Sequence, residues 1–218
     1  MSPRVAEPAV RSALIEAAAR LLAEEGPTAL TTRRLANEIG TSTMSVYTHF
    51  GGMEDLIRAV VWEGFERLAA QLSAVEPTKD PVADLVRLGA AYRLHALTDP
   101  TLYAVMFGGH GIGEYSPTPE DRAHGLGTFA VLVQGVQRCM DAGRFRPGDA
   151  AAVAVRLWAS VHGTVSLELA GFLADMADVE PAYRELITMI GVGLGDDPRR
   201  TKRSVKAALS QSPSLGRT

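Results

Sequence analysis

An all-α fold is predicted for this 218-residue chain by three features of its sequence. Apolar residues recur at spacings of three and four, the period of an amphipathic helix. No segment alternates apolar and polar residues as a half-buried strand does. Acidic residues followed by proline, at 80–81, 99–100 and 180–181, mark helix starts, because the carboxylate can cap free N–H groups and proline in a first turn loses no hydrogen bond. These features predict about nine helices.

The first predicted helices lie within residues 9–52. A helix over 9–25 ends at Gly26, and a short helix over 32–38 keeps its apolar residues at helical spacing. Gly40 comes next, where a tight turn requires a positive φ. This order of a helix, a short helix and a glycine turn predicts the first half of a helix-turn-helix domain.

The second helix of the motif follows Ser42, which is expected to cap it by accepting a hydrogen bond from a free N–H group. Val46 and Phe50 lie four residues apart and would face inward. The outward positions carry hydroxyl, thioether, aromatic and imidazole groups but no carboxylate, which suits a groove lined by phosphates and base edges. These outward positions are Thr43, Met44, Ser45, Tyr47, Thr48 and His49.

The remaining predicted elements follow in order along the chain. A connecting helix over 53–72 leads to a C-terminal domain over 76–195, and residues 196–218 are polar and basic, which predicts a disordered tail. The stretch from 108 to 119 is rich in glycine and proline and predicts an irregular loop. The helices of the C-terminal domain are expected at 81–97, 100–107, 119–142, 149–174 and 181–194.

Composition limits the classes of protein to which the chain could belong. No apolar run reaches the ~18 residues of a membrane span and the N-terminus lacks a signal-peptide pattern, so we expect a cytoplasmic protein with no membrane partner. Cys139 is the single cysteine, and we interpret it as a small buried apolar residue, not a redox sensor.

Net charge by itself gives no support for DNA binding. The chain carries a formal charge of −3, and its first 50 residues are formally neutral. The prediction of DNA binding therefore depends on where individual cations lie, with Arg33, Arg34 and His49 near the outward face of the motif.

The N-terminal residues resemble the tetracycline-repressor (TetR) family of bacterial transcription regulators. The resemblance includes the helix before the motif and the helix after it, at fixed spacing. The matching residues are Ile15-Glu16-Ala17-Ala18, Gly26, Leu30-Thr31-Thr32-Arg33, Leu35-Ala36, Gly40, Ser42, Val46-Tyr47, His49-Phe50 and Asp55-Leu56.

This resemblance implies a graded set of DNA contacts. Thr32 and Arg33 would touch the backbone and groove edge, and the recognition-helix positions 43–45 would meet bases. Tyr47 and His49 would anchor phosphates. One departure is Met53, where the family commonly has lysine, so a backbone N–H or Arg34 would have to substitute. The complete candidate set is Thr32, Arg33, Arg34, Ser42, Thr43, Met44, Ser45, Tyr47, Thr48 and His49.

Two long helices, near 149–174 and 181–194, are candidates for a homodimer interface. The first is apolar around most of its circumference and carries small residues that would let another helix approach closely. Two such helices from each subunit would make a four-helix interface, which the family resemblance also implies. The alternative is that both helices belong to the core of a monomer.

The C-terminal domain also resembles one TetR subgroup, through Trp158-x-x-x-His162-Gly163 and through Tyr103-x-x-Met106-Phe107 after Asp99-Pro100. A pocket for a small organic effector is the functional interpretation. The structural alternative is that His162 bonds a neighbouring helix and Trp158 fills the core. The candidate pocket residues are Tyr103, Met106, Phe107, Phe129, Leu132, Trp158 and His162.

Neither a metal site nor a cofactor is predicted, because His95, His110 and His124 lack metal-ligand spacing. The predicted function is a homodimeric regulator, a repressor, that binds a palindromic operator in double-stranded DNA and is released by a small organic effector. One alternative is a DNA-binding regulator without such an effector, constitutive or controlled by a protein partner. A distant alternative is an all-helical enzyme using His162 with Glu168 or Asp175, although neither acid lies three or four residues from the histidine.

Overall fold

The structure, a computed structural model, describes residues 8–108, 115–173 and 179–210. All regular secondary structure in these ranges is helical, which confirms the predicted all-α class. A short 3₁₀ turn, Pro27–Ala29, separates the first two helices. The helices are α1 Pro8–Glu25, α2 Thr32–Glu38, α3 Thr43–Phe50, α4 Met53–Ser73, α5 Pro81–Thr98, α6 Pro100–Gly108, α7 Pro119–Asp141, α8 Ala150–Leu169, α9 Val179–Gly193 and α10 Pro198–Leu209.

The described residues form two compact units. The first unit contains the chain up to 67 together with 99–126, and the second contains 68–98 together with the chain from 127 onward. The first unit thus holds the helix-turn-helix, most of α4, and α6. The second unit holds α5, α8, α9 and α10.

The core of the first unit is formed by apolar residues from its four N-terminal helices. Leu14, Leu35, Val46 and Leu56 are fully buried there. Gly64 of α4 allows a close approach to α6, because a Cβ added at that glycine would lie 2.7 Å from the sulfur of Met106. The packing fixes α2 and α3 against α1 and leaves the opposite surface of the motif exposed.

The second unit has two apolar clusters. The larger joins α5, α7 and α8 around Val136, Cys139 and Ala154, each completely buried. Burial raises the pKa of the Cys139 thiol to about 12, which fits its interpretation as a small apolar residue. The smaller cluster joins α5 to α10 through Val86 and Val205.

The prediction of a disordered tail was wrong for residues 198–209, which form α10 and pack on α5 and α9. Asp197 caps the helix by accepting a hydrogen bond from the backbone N–H of Arg200 at 2.9 Å, and Pro198 occupies the first turn. Val205 and Ala208 are buried. The part of the tail beyond Ser210 lies outside the described residues.

A buried ion pair, which we call the Arg144 lock, holds the start of α10 in place. The Arg144 guanidinium donates two hydrogen bonds of 2.6 Å to the carboxylate of Asp196 and one of 2.8 Å to Asp80. The Ser204 hydroxyl donates to Asp80 at 2.6 Å, and the Thr201 hydroxyl donates to Asp196 at 2.7 Å. Burial by itself would raise the pKa of Asp196, but hydrogen bonds from Arg144 and Thr201 outweigh it and lower that pKa.

The helix boundaries differ from the predicted ones mainly near the end of α8. This helix ends at Leu169, earlier than expected, and Gly171 adopts a left-handed φ of 80°. Residues 174–178 and 109–114 lie outside the described ranges, so the predicted end at 174 and most of the predicted loop fall there. By length and composition alone α8 could cross a membrane, a test that the core helix of a soluble protein also passes.

Candidate nucleic-acid interface

The turn between α2 and α3 has the geometry predicted from its sequence. The Thr31 hydroxyl caps α2 by accepting a hydrogen bond from the Arg34 N–H at 3.2 Å. Gly40 has a φ of 67°, and the N–H of Thr41 then donates to the Ala36 carbonyl at 2.8 Å. Because a side chain at Gly40 would be strained in this left-handed region, glycine fixes the direction in which α3 leaves the turn.

Ser42 occupies the N-cap position of α3, but the predicted side-chain cap is wrong. Its backbone carbonyl accepts from the Ser45 N–H at 2.9 Å, whereas its hydroxyl makes no capping hydrogen bond. The Ser45 hydroxyl instead lies 2.7 Å from the Thr41 hydroxyl and 3.5 Å from that of Ser42. Hydroxyl groups on both sides of the turn therefore bond to one another and leave the helix N–H groups uncapped by Ser42.

The two faces of α3 separate core residues from candidate DNA contacts. Val46 and Phe50 are buried as predicted, and the Arg11 guanidinium lies 5.2 Å above the Phe50 ring. On the opposite face Met44 is 63 % exposed and Tyr47 is 49 % exposed. Thus α3 is held on one side by apolar contacts and offers a thioether and a phenol on the other.

The shorter polar side chains of α3 differ in how available they are. Thr43 is exposed, while Ser45 and His49 are half-buried. Thr48 is exposed, but its hydroxyl donates to the Met44 carbonyl at 2.9 Å. The hydroxyls of Ser45 and Thr48 would therefore have to exchange an internal hydrogen bond to contact DNA.

The cations of α2 lie at the surface beside α3. Arg33 is exposed, and Arg34 pairs with Glu25 at 2.7 Å. Thr32 is half-buried at the start of the helix. Because an exposed ion pair contributes only about 0–1 kcal/mol, a DNA phosphate can compete with Glu25 for the Arg34 guanidinium.

The joint between α3 and α4 is short. Gly51 has a φ of 77°, and its N–H donates to the Tyr47 carbonyl at 2.9 Å, so this glycine ends the recognition helix. Two residues later α4 begins, at Met53. The orientation of α3 is thereby coupled to the first turn of α4.

A buried carboxylate, Asp121, ties α4 to α7 within the first unit. It accepts hydrogen bonds from the Trp62 indole at 2.9 Å and from the Thr118 N–H and hydroxyl at 2.8 and 2.9 Å, and it pairs with Arg58 at 3.2 Å. We call these four residues the Asp121 cluster. The Trp62 ring also stacks on His124 at 4.7 Å. Sequence analysis missed the cluster because Trp62 and Asp121 are separated by 59 residues.

Three of the predicted effector residues belong to the first unit. Tyr103 and Met106 are buried, and Phe107 is half-buried. The Phe107 ring lies 4.9 Å from that of Tyr103 and meets the Phe65 ring edge-on at 5.6 Å. In this unit the three residues pack α6 against α4.

The other predicted effector residues, Phe129, Leu132, Trp158 and His162, belong to the second unit. The Trp158 ring lies 6.0 Å from that of Phe129 and 5.9 Å from that of His162. Leu132 packs against the larger apolar cluster. Sequence analysis missed Tyr92 of α5, which joins Trp158 and His162, because a lone tyrosine in an apolar helix has no motif to mark it.

Tyr92 fixes the protonation state of His162. The Trp158 indole N–H, which can only donate, gives a hydrogen bond of 3.2 Å to the Tyr92 oxygen. The Tyr92 hydroxyl is then free to donate to Nδ1 of His162 at 2.9 Å. Burial lowers the pKa of His162, which also favours the neutral ring. Trp158, Tyr92 and His162 form a hydrogen-bonded polar group that we call the Tyr92 triad.

The partners of Glu168 bear on the enzyme alternative. Its carboxylate accepts two hydrogen bonds, of 2.6 and 2.7 Å, from Arg93, which also donates to Glu180 at 2.5 Å. Glu168 is therefore held by an arginine, and Asp175 lies outside the described residues. Among the noted histidines, His95 is buried, His124 stacks on Trp62 and His110 is not within the described ranges.

Large apolar side chains are exposed on α8 and α9 and just beyond α8. Val155, Leu167, Phe172 and Met189 are between 48 % and 64 % exposed. Gly163, on α8, has open space where a Cβ would be. Such a surface leaves room for another helix to pack closely.

Two family models match the chain. Residues 14–60 match the model described as bacterial regulatory proteins, tetR family, which includes α2 and α3. Residues 85–190 match the model described as tetracyclin repressor-like, C-terminal domain, which includes the Tyr92 triad. The two matches cover both the candidate DNA-binding surface and the predicted effector residues.

Individual proteins agree with these matches. An uncharacterized HTH-type transcriptional regulator of Mycobacterium tuberculosis is 28 % identical over 192 residues, covering 87 % of this chain and 84 % of that protein. A solved protein of unknown function from Rhodococcus sp. RHA1 is also 28 % identical, with a TM-score of 0.76 over 89 % of this chain and all of its own. RolR, solved in complex with resorcinol, is 17 % identical with a TM-score of 0.63 over 90 % of this chain and 93 % of its own, a likeness of fold alone. This chain belongs to the TetR family of bacterial transcription regulators, whose members bind DNA through an N-terminal helix-turn-helix.

Proposed function

We propose that the protein is a cytoplasmic, homodimeric repressor that binds a near-palindromic operator and is released by a small organic effector. The observation that carries the proposal is the exposed face of α3, where Met44 and Tyr47 project from a helix that Val46 and Phe50 hold in the core. A side chain fixed from behind in this way can reach base edges without further ordering of the helix.

The proposed contacts divide between bases and backbone. Thr43 and Met44, at the start of α3, meet base edges, and the Met44 thioether suits the methyl group of thymine. Tyr47 and His49 contact phosphates. From α2, Thr32, Arg33 and Arg34 contact the backbone beside the groove. The hydroxyls of Ser42, Ser45 and Thr48 make secondary contacts, because those of Ser45 and Thr48 are engaged internally.

Dimerisation through α8 and α9, within the predicted regions 149–174 and 181–194, is supported by their exposed apolar residues. Burying Val155, Leu167 and Met189 against a second copy would remove a large apolar area from water. A two-fold dimer would place two copies of α3 on half-sites about one helical turn apart.

Effector control is supported by the Tyr92 triad. Polar groups of Trp158, Tyr92 and His162 sit beside the Phe129 ring, and a few polar anchors among aromatic side chains are typical of sites for organic ligands. RolR was solved with resorcinol, but at 17 % identity its ligand is not transferred to this chain. Tyr103, Met106, Phe107 and Leu132 complete the candidate residues. Effector binding would tilt α4 and, through the short joint at Gly51, move α3.

Footprinting of the full-length protein on the intergenic DNA beside its gene tests the DNA-binding part. We expect protection of a two-fold symmetric site, and Tyr47→Ala should weaken operator binding at least about tenfold, which corresponds to ~1.4 kcal/mol. Leu126→Ala, which truncates a residue 58 % exposed on α7, is the control and should leave the operator affinity unchanged. Equal affinities of the wild type and Tyr47→Ala for the operator would contradict the proposed role of α3.

Effector control has a separate test once the operator is known. A screen of small aromatic compounds should find one that lowers operator affinity at least tenfold, for which it must favour the non-binding state by ~1.4 kcal/mol. His162→Ala should weaken binding of that compound while leaving operator affinity in its absence unchanged. A compound that binds tightly without altering operator affinity would favour the alternative of a regulator that has no small-molecule effector.

A further inference from the structure

An open groove of about 800 Å³ lies between α9 and α10 within the second unit. It is lined by neither the α3 surface nor the Tyr92 triad, so the proposed function makes no use of it. The volume lies within the ~300–1,000 Å³ typical of sites for organic ligands.

The base of the groove is apolar and partly exposed to water. Met189 of α9 is 64 % exposed, Val192 is half-buried, and Val205 of α10 closes the bottom with 1 % exposure. Together these side chains form a strip on which a flexible hydrocarbon chain could lie.

The side of the groove formed by α10 is cationic. Lys202 and Lys206 line it and are exposed, and Arg184 of α9 adds a third cation. Glu185 is the carboxylate among the lining residues. Within the described part of the chain, ion pairs do not involve Arg184, Lys202 or Lys206, so these cations remain able to bind an anion.

The cationic side is fixed before any ligand arrives. The Arg144 lock and the cap at Asp197 hold the first turn of α10, while Val205 and Ala208 anchor the helix to α5. A site with a preformed wall loses less conformational entropy on binding than one that must be assembled.

We infer that this groove binds a long-chain carboxylate, with its hydrocarbon chain along Met189, Val192 and Val205 and its carboxylate at Lys202 and Lys206. The juxtaposition of an exposed apolar strip with unpaired cations matches the two parts of such a molecule. A lipid bilayer does not fit, because the apolar face of α10 is already buried in the protein. The inference does not depend on the proposed DNA binding or effector control.

Calorimetry with the full-length protein and dodecanoate, at concentrations below micelle formation, tests the inference. Dodecanoate should bind saturably, and dodecyltrimethylammonium, which has the same chain and the opposite charge, should bind at least tenfold more weakly. Lys202→Glu/Lys206→Glu should weaken dodecanoate binding at least tenfold. Arg200→Glu/Arg203→Glu makes the same charge change on exposed residues of α10 outside the groove and should change the affinity less than twofold.

Other results would overturn the inference. Equal losses in both double variants would show a general effect of charge, and a loss in His162→Ala with none in Lys202→Glu/Lys206→Glu would place the fatty chain elsewhere. Absence of binding to the wild type, with Met189→Glu converting a dimer to a monomer in sedimentation, would show that a second copy covers the groove. Circular dichroism of each variant establishes that a lost affinity is not a lost fold.

Discussion

Replacing Arg144 with methionine is expected to lower the free energy of unfolding by about 3–5 kcal/mol, the usual cost of removing one partner of a buried ion pair. Asp196, whose side chain is 1 % exposed, would keep its charge without a cation beside it. The Ser204 hydroxyl would lose one of its hydrogen bonds as well. Since these groups hold the first turn of α10, the loss should fall mainly on that helix.

Urea unfolding followed by circular dichroism measures this loss, and trypsin cleavage within α10 reports where it occurs. Arg199→Met removes an exposed arginine from the same helix and should change stability by less than about 0.5 kcal/mol. Arg144→Met/Asp196→Leu should recover much of the stability, because no buried charge is then left unpaired. Wild-type stability in Arg144→Met would show that the ion pair does not hold α10.

Replacing Asp121 with alanine is expected to cost about 3 kcal/mol, because it leaves the Trp62 indole and the Thr118 N–H without their acceptor and removes an anion from Arg58. Glu120→Ala is the matched control, since Glu120 is exposed one residue earlier in α7. Urea unfolding at pH 7 should show little change in this control. A similar small change in Asp121→Ala would mean that water replaces the carboxylate.

The Asp121 cluster also predicts a dependence of stability on pH. Burial would raise the pKa of Asp121, but hydrogen bonds from Thr118 and Trp62 and the charge of Arg58 lower it overall. A lowered pKa in the folded state stabilises the protein above the unfolded pKa of ~3.9, and this contribution is lost as the pH falls through the folded pKa. The difference in unfolding free energy between the wild type and Asp121→Asn should therefore shrink on acidification from pH 5 to pH 3. A constant difference would contradict this assignment.

Local sequence patterns were sufficient to predict the helix-turn-helix. The turn needs a left-handed residue at one position, and Gly40 is the residue suited to it. Val46 and Phe50 sit at helical spacing, so the buried face of α3 follows from periodicity alone. These features depend on neighbours within a few residues and could be recognised without knowledge of tertiary contacts.

Contacts between distant residues explain the errors. Asp197-Pro198 has the same capping pattern as Asp80-Pro81, yet low hydrophobicity favoured disorder over a helix for α10. What stabilises α10 is a polar partner, Arg144, 52 residues before Asp196. At Ser42 a local rule failed instead, because the Thr41 and Ser45 hydroxyls offered other partners.

The buried thiol of Cys139 makes the protein suitable for selective chemical labelling. A thiol with a pKa of about 12 and no exposure reacts slowly with maleimides, and the chain has no other cysteine. A cysteine introduced at the exposed position of Thr43 would then be the one that carries a spin label. In the proposed dimer, the distance between two such labels would report directly how far apart the recognition helices lie, with and without an effector.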